Sequence, residues 1–118
     1  MSGTPRTVLV VDDERDLADM AEALFAGHGF QVRVAYSADQ ALALLASDGA
    51  IDALFSDIMM PGMTGLQLAT TVGSLYPSIR IVLTSGYTAP ALMAGMARPC
   101  HFVPKPYRID TVVDLLRS

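Results

Sequence analysis

The chain has 118 residues, 52% of them hydrophobic and 17% charged, with a net charge of −4, which suits one domain with a sizeable core and argues against a disordered segment. Its 8 basic residues are scattered, so direct nucleic-acid binding is not expected, and the single cysteine, Cys100, rules out an internal disulfide and fits a reducing compartment. No apolar run approaches the roughly 18 residues of a membrane span, so membrane insertion is not expected and a cytoplasmic location is.

Residues 1–6 lack an apolar signal core and read as a flexible N-terminus; residues 7–118 read as one folded unit. Thr7 to Val11 form a first strand. A helix follows, with Leu17, Met20, Ala21, Leu24 and Phe25 spaced as one apolar face and Gly27 and Gly29 ending it. His28 falls at its C-terminus, where an imidazolium suits the helix dipole. "FQVRVAY" alternates with period two and gives strand two. Ser37 is placed to cap a second helix that turns Ala38, Ala41, Leu42 and Leu45 inward.

"IDALFSD" supplies strand three, and Thr64 caps a third helix with Leu68, Val72 and Leu75 facing in and Pro77 stopping it. "RIVLTS" is a nearly continuous apolar run, as expected of a strand covered on both faces. A short fourth helix is expected from Pro90 to Met96, "HFV" is strand five, and Ile109, Val112, Val113 and Leu116 mark a last helix. Strand and helix alternate throughout. The expected fold is therefore α/β: a flavodoxin-like, doubly wound, five-stranded parallel sheet with helices on both faces.

Ligand sites in such sheets lie beyond the carboxyl ends of the strands. Those ends carry Asp12 and Asp13, Asp57, Thr84 with Ser85, and Lys105. Three carboxylates crowded together repel one another and need an offset; a hard, oxygen-seeking cation such as Mg²⁺ supplies it. The same acids argue against a phosphate-cradling loop after strand one, which wants Gly, Ser and Thr with free N–H groups. Metal, hydroxyl and lysine together make a cradle for a phosphoryl group. Asp57, at the tip of the central strand before the loop "IMMPGMTG", is placed as a nucleophile that forms an acyl phosphate. Each residue also has a plainer reading: Asp-Asp as a solvated turn, Thr84 bonding its own backbone, Lys105 as a surface lysine. It is their combination that favours chemistry.

"VLVVDDE", "FSDIMMPGMTG", "IVLTSGY" and "FVPKPY" together resemble the receiver domain of two-component response regulators, in the family's order and spacing and over essentially the whole chain. The resemblance implies that Asp12 and Asp13 organise Mg²⁺ with Asp57, to which Met59 adds its backbone carbonyl. It implies that Asp57 accepts the phosphoryl group, that Thr84 is the switch hydroxyl, Phe102 the switch aromatic and Lys105 the phosphoryl-binding lysine, and that the Lys105–Pro106 bond is cis. The donor would be a sensor or hybrid histidine kinase or a histidine phosphotransfer protein, and the output a contact with a downstream protein. "LTSGY" with "FVPKPY" is similar to receivers attached to hybrid histidine kinases. On this reading the chain is not a conventional enzyme but catalyses its own phosphorylation and dephosphorylation. Two alternatives remain: a Mg²⁺-dependent aspartyl phosphohydrolase, which wants a carboxylate where Met59 stands, and a phosphorylation-independent binding module.

Overall fold

The computed structural model describes residues 5–86 and 100–117. Five strands, β1 (Thr7–Val11), β2 (Gln31–Ala35), β3 (Ala53–Asp57), β4 (Arg80–Ser85) and β5 (His101–Pro104), form one parallel sheet in the order β2-β1-β3-β4-β5. The described helices are α1 (Arg15–Gly27), α2 (Ala38–Ser47), α3 (Gly65–Leu75) and α4 (Ile109–Arg117). The expected helix from Pro90 to Met96 lies outside the described residues.

Side-chain alternation along the strands sorts the core into two layers. Val8, Val10, Ala53, Phe55, Val82 and Val103 face α1 and α4. Leu9, Val11 and Leu54 face α2 and α3. β1 and β3 are buried along their whole length, including the polar Ser56 and Asp57 at the end of β3, whereas edge strand β2 exposes Gln31 and Arg33. Both expected caps form. The Ser37 hydroxyl accepts from the Gln40 N–H at 3.1 Å. Thr64 and Gln67 make a reciprocal capping box at 3.2 and 2.9 Å. Gly29, at φ +89°, turns the chain after α1. Ahead of β1, the backbone N–H groups of Arg6 and Thr7 donate to the Asp52 carboxylate at 2.9–3.0 Å.

Two helical faces differ from expectation. On α1 the residues turned to the sheet are Ala18, Ala21 and Phe25, while Met20 is 59% exposed and Leu24 is also exposed. The Phe25 ring meets Phe30 and Phe55 edge-on, with centroids 5.5 and 5.6 Å away. Those rings fill the layer, so only alanines fit at the closest approach and the larger aliphatic side chains stand to one side. On α3, Leu68 and Val72 are buried, but Leu75, in the last turn, is 61% exposed.

Candidate functional site

The carboxyl ends of β1, β3, β4 and β5 continue the alternation that builds the core. Asp12, Asp57, Thr84 and Lys105 each stand two positions beyond a residue of the layer under α1 and α4, namely Val10, Phe55, Val82 and Val103. Residues two apart along a strand share a face, so the four side chains emerge together at the strand tips. Strand pairing sets Asp57 beside Thr84 and Thr84 beside Val103.

The Lys105 ammonium bridges two carboxylates, 3.3 Å from Asp12 Oδ2 and 3.4 Å from Asp57 Oδ2. Asp12 Oδ1 accepts the Glu14 backbone N–H at 2.9 Å, and Asp57 Oδ1 accepts that of Met59 at 3.3 Å. Asp13 is exposed, yet it offers a carboxylate oxygen that lies with those of Asp12 and Asp57 in a group spanning no more than 4.8 Å. Asp57 is only 5% exposed. Burial first, and the Asp12 charge after it, hold its carboxyl above the ordinary value against the opposing pull of Lys105 and the Met59 N–H. For Lys105, burial would pull the ammonium down, but the charges of Asp57 and Asp12 together outweigh it and hold the pKa up. Tyr107 is pushed up by burial and then by the Asp12 charge.

Thr84 is 1% exposed, and its hydroxyl has no hydrogen-bond partner among the described residues. A buried hydroxyl in that condition forfeits about 1–3 kcal/mol, a cost usually tolerated where the group has work to do. Met59 is 51% exposed at the mouth of the site. Phe102 is out of phase with Thr84: it pairs with Leu83 and packs with Ile58 on the other side of the sheet. The Lys105–Pro106 bond is cis.

Beside the carboxylates a cavity of about 340 Å³ opens along α1, walled by Leu17, Met20, Leu24, Pro106 and Tyr107 and floored by Asp57, Thr84 and Lys105. The displaced apolar stripe of α1 thus borders the site. Sequence patterning does not single out Gly65. A Cβ there would lie 2.8 Å from both the Asp57 carbonyl carbon and Ile58 Cα. The available signal is a glycine at the first position of a helix, where it weakens the helix unless close approach demands it.

The family model of the response regulator receiver domain matches residues 8–117, and the chain belongs to that family. The C4-dicarboxylate transport transcriptional regulatory protein DctD of Rhizobium meliloti (strain 1021) is 35% identical over 119 residues, covering 99% of this chain and 25% of DctD. Among solved structures, the signal receiver domain of an HD domain-containing protein from Pseudomonas fluorescens Pf-5 matches with a TM-score of 0.86 and 26% identity, over 95% of this chain and 91% of that one. The receiver domain of the hybrid histidine kinase CckA matches with a TM-score of 0.76 and 28% identity, over 92% and 93% of the two chains. The chain spans from about a quarter to about half the length of the curated relatives it matches. No helix among the described residues is long and apolar enough to cross a membrane.

Proposed function

We propose that this receiver domain works as a cytoplasmic phosphoacceptor switch in a phosphorelay, with Asp57 as the acceptor. The observation that carries the reading is the convergence of three carboxylates with the Lys105 ammonium, 3.4 Å from Asp57, beside a Thr84 hydroxyl that has no partner among the described residues. Phosphoryl transfer asks mainly for positioning and charge neutralisation, and this set supplies both. An Asp57 carboxylate oxygen attacks the phosphorus of a phosphohistidine and the P–N bond breaks. Its electron pair stays on the imidazole nitrogen, which takes a proton from water, and Asp57 becomes an acyl phosphate. Lys105 exchanges part of its contact with the carboxylates for a phosphoryl oxygen. Thr84 donates its hydroxyl proton to another, and Phe102 repacks as Thr84 moves.

An all-oxygen donor set this compact and this negative fits a hard divalent cation. Asp12, Asp13 and Asp57 would hold Mg²⁺, with the Met59 backbone carbonyl as a further ligand. When bound, Mg²⁺ neutralises charge on the transferring phosphoryl group. Met59 has no atom that accepts or donates a proton in catalysis, so its position two residues beyond Asp57 gives a phosphohydrolase reading no general base. The apolar stripe of Leu17, Met20 and Leu24 beside the cavity supports a protein donor, a histidine kinase or phosphotransfer protein, covering the site during transfer.

Intact-mass measurement after incubation with a small phosphoramidate and Mg²⁺ tests the reading. The parent is expected to gain one hydroxylamine-labile phosphoryl group and Asp57→Asn none. A labile adduct that persists in Asp57→Asn overturns the assignment.

A further inference from the structure

We infer that Gly65 is a positioning residue for phosphoryl uptake: its missing side chain lets the first turn of α3 seat directly on the Asp57–Ile58 peptide and hold the nucleophile in register. The inference rests on Asp57 being the acceptor.

Ile58, the residue after Asp57, is gripped through both of its backbone polar groups. On one, the Ile58 N–H donates to the Thr84 carbonyl at 2.9 Å, extending the pairing of β3 with β4. On the other, the Gly65 N–H donates to the Ile58 carbonyl at 2.9 Å, bringing the start of α3 flush against the strand tip. A Cβ on Gly65 would lie 2.8 Å from the Asp57 carbonyl carbon and Ile58 Cα, and closer still to the Asp57 carbonyl oxygen. These are backbone atoms, so no side chain can swing aside to relieve the contact. The Ser56 hydroxyl, which donates to the same Asp57 carbonyl at 2.9 Å, further limits where that oxygen can go.

The first turn of α3 is itself held firmly. Thr64 and Gln67 close a capping box around it, and Leu68 and Val72 are fully buried behind it. With α3 anchored by its cap and its buried side chains, a side chain at position 65 cannot be relieved by the helix alone, and part of the displacement falls on the Asp57–Ile58 peptide. That moves the carboxylate away from Lys105, 3.4 Å off, and from the Met59 N–H that orients its other oxygen. Displacements near 1 Å from a reacting geometry cost about a hundredfold in rate. Gly65 touches neither donor nor phosphoryl group, so its effect belongs in the maximal rate and not in donor half-saturation.

Two variants separate positioning from simple destabilisation. Gly65→Ala bears on the Asp57 peptide; Val72→Ala weakens the same helix by opening a hole two turns away. Two measurements are made on each: amide hydrogen exchange of Ile58, and phosphoryl uptake from a small phosphoramidate, with rates normalised to folded protein. Gly65→Ala is expected to expose the Ile58 amide and to lower the maximal uptake rate roughly a hundredfold at unchanged donor half-saturation. Val72→Ala is expected to lower stability while leaving both readouts alone. If Gly65→Ala leaves Ile58 protected and uptake normal, α3 has yielded instead of the strand tip and the inference is overturned. Equal losses in both variants overturn it as well. Should Gly65→Ala not fold, Thr64→Ala loosens the same turn, and Ile58 protection unchanged in that variant overturns the inference. A parent that takes up no phosphoryl group refutes the acceptor role of Asp57, while exchange at Ile58 still decides whether α3 holds the peptide.

Discussion

Replacing Asp57 by Asn, which keeps the shape and removes the charge, is expected to stabilise the metal-free protein. At an effective dielectric near 20, the Lys105 ammonium 3.4 Å away attracts the Asp57 charge by about 5 kcal/mol. Asp12, within 4.8 Å, repels it by about 3.5 kcal/mol, and Asp13, in the same range but solvated, adds a smaller repulsion. These contributions nearly cancel, and burial of a side chain only 5% exposed tips the balance against ionisation. Lys105 keeps Asp12 at 3.3 Å in the variant, so no buried charge is left alone. Each kcal/mol of net gain raises Tm by about 4 °C in a domain of this size. The sign with pH follows from linkage: the folded Asp57 pKa lies above its ordinary 3.8, so the native state binds that proton more tightly than the unfolded chain. Its contribution is favourable below 3.8 and is lost as pH rises through the folded value. The advantage of Asp57→Asn should therefore be full at neutral pH and shrink on acidification. Thermal melts in chelator at a series of pH values measure it. A variant that melts below the parent at neutral pH, or an advantage that grows in acid, refutes the reasoning.

Asp13→Asn should raise the metal-free Tm by less than Asp57→Asn, because the Asp13 charge is solvated; an equal or larger rise in the same melts would place the repulsion at the wrong residue. Thr84→Val removes a buried hydroxyl that has no partner among the described residues and should add about 1–2 kcal/mol in a urea titration, while abolishing the change in hydrogen exchange that beryllofluoride produces in the parent. Thr64→Ala opens the capping box of α3 and should cost about 1 kcal/mol by the same titration. Met20→Lys combined with Leu24→Lys should leave stability within about 0.5 kcal/mol and uptake from a small phosphoramidate unchanged, yet slow transfer from a phosphohistidine protein; equal rates from both donors would remove the α1 stripe from docking.

Local chemistry carries the starts of α2 and α3, since Ser37 and Thr64 cap because their hydroxyls lie one residue before a helical run. The facing of α1 was not legible in the same way. Leu17, Met20 and Leu24 form a stripe at helical spacing, and so do Ala18, Ala21 and Phe25 beside it. Periodicity gives the width of the apolar arc but not which half meets the sheet. That choice was made by volume across the layer, where Phe25, Phe30 and Phe55 already fill the space. Leu75 matches its stripe too, yet it stands at the very end of α3, where it is left exposed. The demand on Gly65 arises between two backbones eight positions apart in sequence, a contact that no one-dimensional period encodes.

The site itself was legible because it continues the core's own pattern. Val10 and Asp12, Phe55 and Asp57, Val82 and Thr84, and Val103 and Lys105 are consecutive members of one alternating series on one side of the sheet. A slip of one residue in any of these strands would turn its apolar side chains out of one layer and its polar tip out of the site together. The free energy that fixes the register of these four paired strands therefore also fixes the separation of Asp57, Asp12 and Lys105, with little needed from the loops. It also separates the two residues expected to move. Thr84 belongs to the series under α1 and α4, whereas Phe102 is one step out of phase and packs with Ile58 and Leu83 toward the other side. A pull on the Thr84 hydroxyl cannot reach Phe102 by direct side-chain contact across a face. It must travel through the β4 backbone, whose Thr84 carbonyl holds the Ile58 N–H at 2.9 Å, or around the end of β5. The Asp57–Ile58 peptide, against which Gly65 packs, thus lies on a covalent and hydrogen-bonded route from Asp57 to the opposite layer.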